Sequence, residues 1–310
     1  MSKFKIFNVQ LVPLDQEKEV GVSGYKKLFA QLRDLNQKFL RDKNHLEFHY
    51  HVNGDTYMGP LDFKPLPGFV TGHFVRYRNT EVVTDLATGR ALYYAKAGKG
   101  GATNIKVAPF VFDAEKHYFA IDGVLGIRTE DFISALTQFL QPIAKEHFPR
   151  HELTINLISR RNDLETVFKN AVQYKTVKLH LNGPNGSDAV DILGDMRDNK
   201  IQTLELNASG GNGRMVGLPN FIKQILRSVI GHGYAVITYF EGDGHAEEGQ
   251  LRRRTYDSRE QPLTFTVRHS PGNPSEEDFL ARTTHRLHEL DINENGSEES
   301  EAEDADEDMT

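Results

Sequence analysis

The chain of 310 residues contains no cysteine and no long apolar run. Without cysteine it cannot form disulfides, thiolate metal sites or a cysteine nucleophile, and such a composition is compatible with a reducing cytosol. The longest nearly apolar run, Tyr234 to Phe240, covers seven residues and is far too short to cross a membrane. Residues 1–12 alternate like a strand and lack the continuous apolar core of a signal peptide. We therefore expect a cytoplasmic protein.

Signatures of known catalytic centres are also missing. The sequence has no Gly-x-Ser-x-Gly elbow, no His-Glu-x-x-His zinc motif, no phosphate-binding P-loop, and no kinase or EF-hand signature. Acidic residues and histidines are plentiful, but no spacing fixes them in a catalytic geometry. We expect no cofactor and no small-molecule substrate, and we interpret the protein as non-enzymatic.

Basic residues are absent from residues 291–310, which hold ten carboxylates. The whole chain has 44 acidic and 37 basic side chains and a formal charge of −7, so residues 1–290, with 34 acidic and 37 basic side chains, carry +3. Like charges repel one another, and residues 298–308 contain no apolar side chain larger than alanine, so burial cannot offset the entropy of ordering. We expect a disordered acidic tail that either solubilises the protein or competes with nucleic acid for the basic surface of the body.

Hydrophobic periodicity predicts strands and helices in the first half of the chain. Residues 7–11 alternate as a half-buried strand, and apolar residues from Tyr25 to Phe39 recur at helical spacing behind Ser23, a candidate helix N-cap. The same criteria predict extended segments at Phe69–Arg78, Ala91–Ala95, Ile105–Phe112 and His117–Ile121, and a helix capped by Thr129. This order predicts an α+β subdomain over residues 1–150 with a mixed or antiparallel sheet.

After Pro149 the pattern changes to an order of strand, helix, strand. The predicted strands are Leu153–Ile158, Val177–Leu181, Ile201–Leu206, Tyr234–Phe240, Leu251–Tyr256 and Leu263–Arg268, and three of the helices between and after them have Asn162, Ser187 and Ser275 as candidate caps. Residues 179–182 and 204–207 share the pattern Leu-x-Leu-Asn, which indicates two similar units in one sheet. We assign residues 151–290 to a C-terminal βα-repeat subdomain.

Three histidines and one carboxylate alternate along residues 45–52, which we predict to be a strand. Side chains alternate across a strand, so this pattern places His45, Glu47, His49 and His51 on one face. Neighbours on one face lie about 7 Å apart, near enough for two histidines to bind one metal ion. The alternative is a polar stripe facing solvent, opposite a buried apolar face, and it explains the alternation equally well.

Basic residues cluster at several places in the chain. The densest cluster is Arg252-Arg253-Arg254, with Tyr256, Arg259 and Arg268 nearby. On a strand, Arg252, Arg254 and Tyr256 share a face, which would let the arginines pair with phosphates while the ring stacks on a base. A glycine-rich segment adds Lys96 and Lys99, and Lys106 follows it. Each cluster alone is typical of a solvated surface, whereas together they favour a contact surface for a polyanion.

Segments in the middle of the chain carry a family resemblance. They are Ala108-Pro109-Phe110-Val111-Phe112, the hairpin through residues 117–120, Thr129-x-Asp131-Phe132 with Leu136, Phe139 and Leu140, and the strand–turn–strand of residues 46–57. Together they resemble the central segment of the RexA-type phage-exclusion proteins and a broader family of uncharacterised bacterial proteins of similar length. The resemblance implies a dimeric, sequence-tolerant DNA-binding protein acting in phage exclusion, with a membrane or other effector protein as a further partner. It assigns no DNA-contact residues, and it does not include the acidic tail.

These observations lead to one preferred hypothesis and two alternatives. We predict a non-enzymatic, homodimeric protein of anti-phage defence that binds double-stranded DNA without sequence specificity, with an acidic tail that either inhibits this binding or only solubilises the protein. The predicted contacts are Arg252, Arg254, Arg259 and Arg268, with Lys96, Lys99 and Lys106 supplementary and Tyr256 as a stacking surface. One alternative is a metal-dependent nuclease that uses Glu47 and the three histidines. The other is a module for protein–protein interaction.

Overall fold

The computed structural model describes residues 1–14, 17–95, 101–183, 192–242, 251–268 and 275–290. Its strands are β1 (Ser2–Pro13), β2 (Tyr50–Asn53), β3 (Thr56–Leu66), β4 (Phe69–Thr80), β5 (Val82–Thr84), β6 (Ala91–Tyr94), β7 (Gly101–Asp113), β8 (Tyr118–Asp122), β9 (His151–Leu157), β10 (Ala171–Asn182), β11 (Thr203–Ser209), β12 (Gly233–Gly242), β13 (Leu251–Asp257) and β14 (Thr264–Val267). Its helices are α1 (Gly21–Arg41), α2 (His45–Phe48), α3 (Thr129–His147), α4 (Arg161–Asn170), α5 (Ile192–Asp198), α6 (Asn220–Ser228) and α7 (Glu276–Glu289). This combination confirms the predicted α+β class. The predicted disordered tail, residues 291–310, lies outside the described residues.

The large sheet has eight antiparallel strands and is built around β1. Its order is β14-β1-β8-β7-β4-β3-β2, and β9 pairs with β1 beyond the end of β14. Phe4 lies opposite Phe265 of β14, and Leu11 lies opposite Leu153 of β9. The second half of the chain thus supplies two strands to a sheet that the first half begins. The division of the chain at residue 150 stays a prediction.

Helices cover both faces of the large sheet, so β1 is buried on both sides. The apolar side chains of residues 7, 9 and 11 pack in a core with α1 and α3, while Phe4 and Ile6 belong to a second core with α7. The prediction of a half-buried strand is therefore wrong, because Asn8 is buried as well. Asn8 tolerates burial since its Nδ2 donates a hydrogen bond to the carbonyl of Gly231 at 2.8 Å.

The small sheet has four antiparallel strands in the order β11-β10-β12-β13. The two Leu-x-Leu-Asn segments lie side by side in β10 and β11, with Leu179 opposite Leu206 and Leu181 opposite Leu204. Both segments therefore place alternate leucines on one side of the sheet, where they share the second core with apolar side chains of α4 and α6. The apolar run of residues 234–240 forms β12 in the middle of this sheet.

Helix starts agree with the sequence in one case and depart from it in three. The cap predicted at Ser275 is confirmed, because its hydroxyl accepts a hydrogen bond from the Asp278 amide at 3.1 Å. The caps predicted at Ser23, Thr129 and Asn162 are wrong, since the cap positions are Val20, Arg128 and Arg160. A capping side chain contributes only about 1 kcal/mol, so a helix can begin without one. The cap predicted at Ser187 lies outside the described residues.

Within the described ranges, none of the helices is long and apolar enough to cross a membrane.

Candidate nucleic-acid interface

The small sheet has one side that points away from the core formed with α4 and α6. Side chains alternate along β12, so its odd-numbered residues enter the core while Tyr234 and Phe240 point to the other side. Pairing across the strands brings Lys178 and His180 of β10 and Arg253 of β13 to that same side. We call this surface the outer face and define it by Lys178, His180, Arg214, Tyr234, Phe240, Arg253 and Arg259.

Two arginines flank Phe240 at one end of the outer face. The guanidinium carbon of Arg214 lies 4.1 Å from the centroid of the Phe240 ring, and its Nη1 donates to Oε1 of Gln173 at 3.1 Å. Arg253 is exposed and occupies the position of β13 directly opposite Phe240. Directly paired residues have their Cβ atoms about 5 Å apart, so Arg214 and Arg253 both lie beside Phe240 on one patch of surface. Among the described residues, no carboxylate forms an ion pair with either cation.

At the other end of the outer face, planar groups stack beside Tyr234. The His180 ring lies 5.5 Å from the Tyr234 ring at an angle of 14°, and the Arg259 guanidinium carbon lies 4.7 Å from the same ring. Arg259 donates to both oxygens of Asp257, at 2.9 and 2.6 Å, and lies 3.7 Å from Glu130. The hydrogen bonds to Asp257 raise the pKa of Arg259, and the two carboxylates offset its charge. The available positive charge is therefore at the Phe240 end.

The predicted shared face of Arg252, Arg254 and Tyr256 exists, but it is the side that meets the core. Arg254 lies opposite Tyr239, a core residue, and its Nε donates to Glu241 at 3.3 Å, which offsets its charge. Tyr256 is 6% exposed, and burial raises its pKa above the ordinary value. The prediction that Tyr256 stacks on a base is wrong, because its ring is part of the second core. Arg252 is exposed near the start of β13.

The remaining predicted contacts lie on the large sheet or outside the described residues. Lys106 is exposed on β7. It lies near Arg76, because both side chains border Gly126: a methyl group built on Gly126 would lie 3.4 Å from Arg76 Nη1 and 3.9 Å from Lys106 Nζ. Arg76 is held there by a hydrogen bond from Nη1 to a backbone carbonyl at 2.7 Å. Arg268 is exposed just after β14, at the edge of the large sheet. Lys96 and Lys99 lie outside the described residues.

The strand predicted over residues 45–52 is wrong for residues 45–48 and confirmed for residues 50–52, and its candidate metal ligands do not share a face. Residues His45–Phe48 form the helical turn α2, which is closed by a hydrogen bond from the His49 amide to the His45 carbonyl at 2.7 Å. Phe48 points from this turn towards the core, where its ring stacks on the Phe39 ring with 5.0 Å between centroids. Over so few residues, a helical turn and a strand produce similar apolar patterns, and the aromatic packing decides between them.

His49 is buried instead of facing solvent. It is 4% exposed, its Nδ1 lies 3.0 Å from the Tyr77 hydroxyl, and its ring packs on Gly59. Burial, with a smaller contribution from His45, lowers the pKa of His49 to about 4. His51, by contrast, is exposed on β2. In the part of the chain that the structure describes, no three histidines or carboxylates are grouped to hold a metal ion, so the geometry gives the nuclease alternative no support.

Sequence reasoning missed two cations of the outer face. Lys178 alternates with buried Val177 and Leu179 in β10, a pattern that does identify an exposed position on a strand. Arg214 comes from the segment between β11 and α6, and no local pattern indicates its contact with Phe240, which is distant in sequence. Arg253 stood within the predicted cluster, but only the pairing with β12 shows that it, and not its two neighbours, points to the outer face.

Comparison with known families gives one match and no function. Residues 2–284 match the model of a family described as a domain of unknown function, DUF4747. No curated protein matches the chain significantly. The match includes both sheets and most of α7. The chain therefore belongs to the DUF4747 family.

Proposed function

We propose that this protein is a cytoplasmic, non-enzymatic DNA-binding protein that contacts the phosphates of double-stranded DNA without reading base sequence. The observation that supports this proposal is the pair of cations at Phe240, Arg214 and Arg253. A guanidinium group matches the geometry of a phosphate and donates two parallel hydrogen bonds to it. The ring and Gln173 already hold Arg214 in place, so little side-chain entropy is lost when it binds.

One further cation extends the binding surface away from Phe240. Lys178 is exposed on the same face. The surface is limited at the Tyr234 end, because Glu130 and Asp257 repel phosphate there. With one phosphate for each of Arg214, Arg253 and Lys178, this patch accommodates about three phosphates. Contacts to phosphates position a protein on DNA but carry no base information, which accounts for the proposed sequence tolerance.

Salt-titrated binding to a fluorescent duplex tests the proposal. Each phosphate contact contributes about −0.9 to the slope of log K against log salt concentration, so about three contacts give a slope of roughly −2.7. Arg253→Gln should weaken binding and make the slope shallower by about 0.9. The matched control is Arg150→Gln, which removes an exposed guanidinium near the far end of α3 and should change neither quantity. A chain that shows no salt-sensitive duplex binding, or equal losses in both variants, would exclude this function.

The acidic residues 291–310 enter the proposal as an inhibitor that competes with DNA for the outer face. Lys116 Nζ donates to the carbonyls of His288 and Leu290, and this anchor fixes the point from which the acidic segment leaves the body. Twenty residues span up to roughly 70 Å when extended, more than the width of about 50 Å expected for a folded chain of this length. A chain of residues 1–290 should therefore bind the duplex more tightly than the full chain. Equal affinity would leave the segment without an inhibitory role.

The assignment to phage exclusion, with a membrane or effector protein as partner, is supported by the resemblance to the RexA-type proteins alone. If DNA binding serves exclusion, cells that produce the Arg253→Gln chain should lose protection against phage in a plaque assay. Cells that produce the Arg150→Gln chain at the same level should keep it. Protection that survives Arg253→Gln would separate the two activities.

A further inference from the structure

A cleft opens where β1 and β8 meet the start of α3, and the proposed function does not involve it. Lys5 of β1 lies directly opposite Ile121 of β8, and side-chain alternation places both on the side of the sheet that α3 covers. The segment between β8 and α3 closes the cleft on the remaining side. We call it the Lys5 cleft and define it by Lys5 and the apolar side chains of Phe7, Ile121, Leu125, Ile127 and Phe132.

Lys5 supplies the charge of this cleft. Its side chain is half-buried, and burial lowers the pKa of Lys5 because the ammonium loses part of its hydration. Within the ranges that the structure describes, no carboxylate forms an ion pair with its Nζ, and no acceptor forms a hydrogen bond with it. Burying a charge is unfavourable unless a partner offsets the lost hydration, so this ammonium has an unused capacity to bind an anion.

The carboxylates around the cleft are directed elsewhere. Asp122 borders it, but alternation along β8 points its side chain to the opposite side of the sheet from Lys5. At the start of α3, Asp131 forms an ion pair with Arg128 at 2.9 Å. Glu130 lies 3.7 Å from an arginine of the outer face. An anion from solution can therefore reach Lys5 without displacing a carboxylate of the chain.

Two further cations stand at the rim of the Lys5 cleft. Arg76 Nη1 donates to the carbonyls of Leu125 and Gly126, at 2.7 and 3.2 Å, and so fixes the segment that closes the cleft. Lys106 borders the same glycine. Across the described residues, neither cation forms an ion pair with a carboxylate. Unpaired positive charges at the mouth of a cleft raise the local concentration of anions.

We propose that the Lys5 cleft binds a short-chain carboxylate, with the hydrocarbon chain on Phe7 and Phe132 and the carboxylate at the Lys5 ammonium. An apolar lining with very few polar groups is typical of a site for a small molecule. The enclosed part of the cleft is little larger than a water molecule, so it fits a chain of about two carbons. Among the described residues, Lys5 is the one cation of the lining, so a dianion such as phosphate would bury a second charge without a partner.

Saturation-transfer NMR and isothermal titration calorimetry of the full chain with sodium propionate test the proposal. Propionamide has nearly the same shape but no charge, and it should bind at least about tenfold more weakly because it lacks the charge-assisted hydrogen bond. Formate lacks the chain and should also bind at least about tenfold more weakly, since each buried methylene group contributes about fourfold.

The same three ligands, with inorganic phosphate as a fourth, can overturn the proposal on the native chain alone. Propionate that gives no saturation transfer would leave the cleft without this ligand. Equal affinity for propionate and propionamide would remove the role of the charge, and equal affinity for propionate and formate would remove the role of the apolar lining. Phosphate that binds as tightly as propionate would show a general anion site in place of a carboxylate site.

A matched pair of variants then assigns the charge to Lys5. Lys5→Met keeps the length of the side chain without the ammonium and should weaken propionate binding at least about tenfold. Lys145→Met removes an exposed ammonium from α3 and should leave the affinity unchanged. Circular dichroism checks that both variants fold. Propionate affinity that survives Lys5→Met contradicts the proposal. DNA is absent from all of these measurements, so their outcome is independent of the proposed function.

Discussion

Mild acid should destabilise this protein, because three of its histidines are neutral in the folded state. Burial lowers the pKa of His49, His117 and His232 to about 4, whereas a histidine in an unfolded chain titrates near 6.5. Between these two values the unfolded chain binds protons that the folded chain does not. The stability that depends on the neutral rings is therefore complete above pH 6.5 and is lost progressively as the pH falls towards 4.

His49 gives the most direct magnitude. Its ring is 4% exposed between Gly59 and the Tyr77 hydroxyl. A pKa displaced from 6.5 to about 4 lowers the free energy of unfolding by about 3.4 kcal/mol when the pH is well below 4, and by about 2 kcal/mol at pH 5. His232 is influenced by His117 as well as by burial, so the contributions of these two rings are coupled and do not simply add.

The assay is urea unfolding followed by circular dichroism at pH 7.5 and pH 5. The free energy of unfolding of the native chain should be lower at pH 5 than at pH 7.5. His49→Gln should make this difference smaller by about 2 kcal/mol, since it removes one titrating ring. His285→Gln is the matched control, because this histidine is exposed on α7 and should leave the loss unchanged. An identical pH dependence in the native and His49→Gln chains would refute the assignment of acid sensitivity to His49.

Three further predictions concern single side chains. Ser275→Ala removes the cap of α7 and should lower the free energy of unfolding in urea by about 1 kcal/mol. Gly59→Ala places a methyl group 2.1 Å from Cδ2 of His49 and should cost at least about 1 kcal/mol, while Gly217→Ala, which meets open space, should cost less. Tyr256→Phe keeps the buried ring and should leave affinity for the fluorescent duplex unchanged, whereas Arg253→Gln should lower it. If Tyr256→Phe lowers the affinity and Arg253→Gln does not, Tyr256 is a DNA contact after all.

Much of the fold was predictable because strand and helix periodicities are local. The strands at residues 153–158, 177–181 and 251–256 and the helix behind Ser275 all follow from apolar spacing and one capping side chain. The prediction failed over residues 45–48, where a four-residue helix imitates the alternation of a strand and a stack of Phe48 on Phe39 decides between them.

The candidate site was less predictable than the fold. The arginine cluster at residues 252–254 was evident, and so was its place on a strand, but the orientation of that strand was not. Arg253 points to the outer face and Tyr256 into the core because of their pairing with β12, which a separate stretch of sequence supplies. The contact of Arg214 with Phe240 likewise joins two segments that no local pattern connects.

The amino-acid sequence alone determined the α+β class, most of the strands, the cap of α7, and the separation of charge between a basic body and the acidic residues 291–310. These properties depend on composition and on spacing between near neighbours. Only the tertiary structure decided which cations face solvent without a carboxylate partner, that His49 is buried, and that Lys5 lies in an apolar cleft. Burial and charge pairing are set by the side of each strand that meets the core, and that side is chosen by partners far away in the chain.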